Sequence, residues 1–131
     1  MLLEAYRQAV SDGTPRRRYP SAVWRGIVRL LAQADRAIVE RSPVRRHEAL
    51  MRAEELVTFL DAGFEDSLMP QAAPTLHDIH SRVLALMVRA NLHDDRTALE
   101  TARETARVMD AMWSEAADRA SADLERGWRS C

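Results

Sequence analysis

Apolar residues recur along this chain at steps of three and four, with no alternating run of apolar and polar positions. That period belongs to helices with one buried face. Val23, Trp24, Ile27, Leu30, Leu31, Ala34 and Ile38 predict a first helix from Pro20 to about Arg41. Pro20 suits its first turn, where a missing N–H costs nothing. Ser42-Pro43 then reads as an N-cap followed by a first-turn proline. Leu50, Ala53, Leu56, Val57 and Leu60 carry the second helix to Gly63, a stop residue. A loop over 64–73 holds Pro70. A third helix opens near Pro74-Thr75, uses Leu76, Ile79, Val83, Leu86, Met87 and Ala90, and closes over Asn91-Leu92-His93-Asp94.

The fourth helix has the clearest pattern. After Asp94 or Asp95 as its cap, Leu99, Ala102, Ala106, Met109, Trp113, Ala116 and Ala120 advance by alternating threes and fours. This is a heptad seam in which large and small residues alternate, so a neighbouring helix can approach closely. Four amphipathic helices with mostly short connections predict an all-α, antiparallel four-helix bundle over 20–128. Residues 1–19 are expected to form a short helix or mobile arm within one domain, 1–131. One sequence feature breaks the pattern: Gly26 lies inside the first helix, where it costs ~1 kcal/mol relative to Ala. Either another helix or the N-terminal arm packs closely there, or a partner backbone enters a groove.

Composition narrows the function classes. The chain has 131 residues, 47% hydrophobic and 30% charged, which fits one folded domain and excludes a disordered or collagen-like chain. No stretch is long and apolar enough for a membrane span, and the N-terminus carries no secretory signal pattern. The single cysteine, Cys131, cannot form an internal disulfide, so a cytoplasmic location is expected. All 19 basic residues are Arg, which removes Schiff-base and P-loop lysine chemistry. Residues 1–46 carry ten Arg against four acids; residues 47–131 carry nine against sixteen. That polarity is mild. Arg16-Arg17-Arg18-Tyr19 lacks any accompanying groove-reading motif, so no nucleic-acid partner is expected.

Candidate chemistry is sparse, and the chain does not read as an enzyme. There is no Gly-rich phosphate loop, no G-x-S-x-G and no H-E-x-x-H. His77 and His80 stand one helical turn apart, a spacing that can chelate. Carboxylate-rich diiron bundles place a Glu three residues before each His, and neither histidine has one. His80 is expected to flank the core and His77 to cap or face solvent, with no metal and no cofactor.

Several segments, in order and at matching spacing over residues 5–113, resemble the flagellar export chaperone family FliS. Ala5-Tyr6-Arg7-Gln8 is similar to the family's opening. Val23-Trp24-Arg25-Gly26-Ile27, continuing through Val28-Arg29-Leu30-Leu31-Ala32-Gln33-Ala34, is similar to its Leu-Tyr-Asp-Gly-Ala and Arg-Phe-Leu-x-Gln-Ala. Arg89-Ala90-Asn91-Leu92-His93-Asp94-Asp95 is similar to Glu-Ala-Asn-x-x-Asn-Asp, and Met109-Asp110-Ala111-Met112-Trp113 to Leu-Arg-Glu-Ala-Trp. The chain departs from the family at Trp24-Arg25, at His80-Ser81-Arg82 where Tyr-Asp-Tyr is usual, and in a loop without Gly-Gly.

The resemblance implies a cytosolic chaperone that binds the disordered C-terminal region of flagellin. Such a chaperone prevents premature polymerisation and delivers the client to the flagellar type III secretion apparatus, whose components are further partners. It implies Tyr6 as a lid residue. Trp24, Gly26, Ile27 and Leu30 would line or shape a groove on the first helix, with Ala90, Asn91, Leu92 and Asp95 at the end of the third. A monomer or weak homodimer is expected. A helical adaptor for another secreted substrate, a histidine-based metal-binding bundle and a structural protein self-associating through the heptad seam are the other readings.

Overall fold

The computed structural model describes residues 19–63 and 70–129, with side chains over 20–63 and 70–127. The family-implied lid residue Tyr6, the basic triplet, the side chain of Trp128, and Cys131 lie outside the described residues. Four helices follow one another: α1 (Tyr19–Val39), α2 (Pro43–Ala62), α3 (Ala73–His93) and α4 (Arg96–Arg129). Each packs against two neighbours in a ring, α1 on α2 and α4, α3 on α2 and α4, and the diagonal helices keep their backbones apart, meeting only through side chains such as Trp24 and His80. With connections this short, successive helices run antiparallel, and the all-α bundle expected from the pattern is the observed architecture.

The helix ends follow from local chemistry. At the close of α1, the Ser42 N–H reaches back to the Ala37 carbonyl at 2.8 Å and the Arg41 N–H to Ile38 at 3.1 Å. Arg41 takes the left-handed φ of 55° that this Schellman arrangement needs, so the helix ends at Val39, two residues before the expected stop. Ser42 then caps α2, its Oγ accepting from the Arg45 N–H at 3.4 Å. Asp94, also left-handed at φ 49°, ends α3. Asp95 caps α4 by accepting from the Ala98 N–H at 3.0 Å, which divides the two roles between the adjacent aspartates. Ala72 precedes α3 without any side-chain cap, and α3 begins at Ala73, a residue before the proline expected to open it.

The core is where the periodicity puts it. All seven residues of the α4 seam are buried, against Trp24, Ile27, Leu31 and Ala34 of α1, Leu50, Ala53 and Val57 of α2, and Leu76, Val83 and Met87 of α3. Polar groups enter this interior at two places. Ser21, 4% exposed, lies with its hydroxyl 2.6 Å from that of Ser114; one of the two donates to the other, which donates to Asp110 Oδ1, 3.3 and 3.2 Å from the pair, joining α1 to α4. The second is His80, only 3% exposed, which occupies a core position and not the flank expected for it. Counting forward explains this: His80 continues the Leu76, Val83, Met87, Ala90 stripe, so its backbone aims it inward whatever its polarity.

Candidate functional site

The residues singled out on α1 and α3 divide into buried and accessible groups. Trp24 and Ile27 have no exposed surface, and Ala90 is buried with them. Covered in this way, they can shape a groove from beneath. Gly26, Leu30, Asn91 and Asp95 are half-buried, and Leu92 is 71% exposed. α1 and α3 are diagonal in the bundle. Trp24 lies level with His80, ring centroids 5.8 Å apart, which leaves residue 90 about 15 Å further along α3 at 1.5 Å per residue.

Gly26 faces α2. A Cβ built there would meet only Leu56 Cδ1, at 3.6 Å, an ordinary van der Waals contact. Close packing within the bundle thus does not require glycine at this position, and the helix carries its propensity cost without a steric reason. The neighbouring Leu30 and Leu56 are also half-buried apolar side chains.

A second accessible surface lies on the other side of α2. Asn91 Nδ2 donates to His47 Nδ1 at 3.0 Å, setting α3 and α2 in register at that end. Val44 and Met51 flank His47 at helical spacing on α2, and Val88 and Leu92 flank Asn91 on α3; all four are exposed. Arg46 pairs with Asp94 beside them, and Arg89 Nη2 with Asp95 Oδ2 at 3.2 Å. Apolar side chains fixed in place by a polar rim are the usual anatomy of a protein-binding surface. Sequence reading found Asn91 and Leu92 through the family pattern. It missed Val44, Met51 and Val88, whose outward position shows only once α2 and α3 are packed.

Two of the departures from the family pattern, Trp24 and His80, touch each other in the core. The other substituted positions on these helices, Arg25, Ser81 and Arg82, are exposed. Asp61, which no sequence argument picked out, accepts from both histidines of α3: His77 Nδ1 at 2.5 Å and His80 Nδ1 at 2.8 Å. Burial acts to raise the Asp61 pKa, but the hydrogen bonds and charge of the two imidazoles outweigh it and hold the carboxyl below its ordinary value. The signal available in the sequence was the step of four from Val57 to Asp61 on the core side of α2. Trp24 has its indole N–H buried without an acceptor.

Fold and surface together define a class: a small all-α bundle whose accessible features are apolar faces suited to another polypeptide. The model of the family described as flagellar protein FliS matches residues 3–120, and the chain belongs to that family. It is a family of flagellar export chaperones, not of enzymes. Among curated proteins no match to the chain is found. No helix of the described residues is long and apolar enough to cross a membrane.

Proposed function

We propose that this chain is a cytoplasmic chaperone for flagellin. It binds the disordered C-terminal segment, keeps it from polymerising and hands it to the flagellar type III secretion apparatus. The family match over residues 3–120 carries this reading. The surface supports it. Gly26 and Leu30 lie on one side of α2, Asn91, Leu92 and Asp95 toward the other, so a client touching both must wrap around the bundle. A disordered segment of some tens of residues can do that, folding amphipathic helices onto apolar strips as it binds. Trp24, Ile27 and Ala90 shape those strips from within, and Tyr6 covers part of the site in the free protein. The chain acts alone or as a weak homodimer. The departures at Trp24 and His80 are buried, so they act on the surface only through the interior, whereas Arg25, Ser81 and Arg82 change the surface itself.

Calorimetry with the C-terminal ~50 residues of the same organism's flagellin tests the proposal. A 1:1 complex with a large negative heat-capacity change is expected, the mark of apolar burial coupled to folding. No binding at tens of micromolar would remove flagellin as the client and favour another secreted substrate. Gly26→Ala sharpens the result. It should stabilise the free bundle by ~1 kcal/mol, since helix propensity improves and the space exists. It should also weaken flagellin binding if a client backbone runs over this position. A variant that is more stable and binds equally well would take Gly26 out of the contact surface.

A further inference from the structure

We propose that Asp61, His77 and His80 form a binding site for a transition-metal ion of the Zn²⁺ class, tying the end of α2 to the start of α3. The client-binding reading plays no part in this inference.

Three side chains from two helices converge there. Asp61 Oδ1, His77 and His80 each offer a ligand atom, and the three atoms lie within 4.8 Å of one another. The imidazoles are near perpendicular, at 86°, with centroids 6.4 Å apart, so they present their Nδ1 atoms to the same carboxylate oxygen from different directions. Two nitrogens and one oxygen suit Zn²⁺ and its neighbours, whereas Mg²⁺ and Ca²⁺ call for shells dominated by oxygen. Tetrahedral bonds of about 2.0–2.2 Å set ligands ~3.3 Å apart. Asp61 Oδ1, now at 2.5 and 2.8 Å, must retreat by roughly 0.5–0.8 Å to reach that spacing. Its side chain is 38% exposed, which leaves room for that rotation and leaves the fourth coordination position to solvent. Coordination uses the Nδ1 lone pair of each ring, with the ring proton on Nε2.

The position of His80 argues against an incidental surface pair. It fills a core slot whose equivalents on α3 are Leu76, Val83, Met87 and Ala90, and an apolar residue there would avoid burying a polar ring. Trp24 packs against it from α1, limiting the movement of the ring. An ion held by these residues bridges the chain between 61 and 77. It stabilises the bundle by mass action, because the unfolded chain has no such arrangement.

The test is calorimetric titration of the full chain with ZnCl₂, repeated with Co²⁺ to record visible absorption. Variants are His77→Ala and Asp61→Asn, which leave His80 in the core, with His93→Ala and Cys131→Ser as controls. Expected are one ion per chain, a tetrahedral Co²⁺ spectrum, and affinity lowered tenfold or more in both site variants but in neither control. The proposal is overturned if the wild-type chain fails to bind Zn²⁺, or if either site variant keeps affinity within tenfold of wild type. Loss of binding in a control would equally overturn it, by placing the ion elsewhere.

Discussion

The α1–α4 and α2–α3 sides of the bundle are held together by different means. Between α1 and α4 a regular heptad seam interdigitates large with small side chains over six turns, and the polar groups lie toward its ends: buried Ser21 with the half-buried Ser114 and Asp110 at one, Asp35 with Arg96 and Arg103 at the other. Between α2 and α3 the interior itself is partly polar, with His80 in a core slot satisfied by an aspartate on the facing helix. An apolar seam is non-directional and tolerates small shifts. A buried imidazole is held by one acceptor, and its hydrogen bond is lost if that acceptor moves. The first side of the molecule should therefore supply more stability, and the second more of its geometric definition.

Trp113→Ala gives the largest expected effect. Truncating the biggest residue of the seam should cost ~3–5 kcal/mol, read by urea denaturation as a lowered midpoint at nearly constant slope. A loss below that of Asp61→Ala would reverse the ranking of the two sides. Asp61→Ala should cost about 1–3 kcal/mol, because His80 stays buried and loses its acceptor. Replacing Asp61 and His80 together by apolar residues of similar size should recover much of that loss; continued instability of the double variant would show that packing, and not the orphaned ring, was responsible.

The smallest effect concerns Glu54, midway along α2. Burial raises its pKa above 4.5, with His47 pulling weakly the other way. A raised folded-state pKa means the native chain holds this proton more tightly than the unfolded chain. Its contribution favours folding below the unfolded value and is lost as pH rises through the folded one. Glu54→Gln should accordingly add at most about 0.5 kcal/mol at pH 7, since solvent screens a group this accessible, and nothing at pH 3.5. Equal stabilisation at both pH values would assign the gain to helix propensity instead.

Helix number, extent and most of the core were legible because each rests on local rules. The α4 seam follows from period alone, and the starts at Ser42 and Asp95 from cap chemistry. The candidate site was only partly legible. Leu92 and Asn91 could be found through the family pattern, but Val44, Met51 and Val88 gained meaning only beside them, once the His47–Asn91 contact set α2 against α3. That Trp24 and Ile27 are buried was not legible, since the apolar stripe of a helix does not reveal where its neighbours stop covering it.

By itself, then, the sequence determined an all-α chain, its four helices and the apolar face of each, because periodicity, capping and propensity act within a few residues. The tertiary structure decided which faces remained open, brought Asp61 to His77 and His80 across sixteen and nineteen residues of chain, and showed that among the described residues only Leu56, at an ordinary contact distance, stands where a Gly26 side chain would be. Those outcomes depend on which helices pack side by side and at what height, a choice made by the whole core at once and carried by no single segment of it.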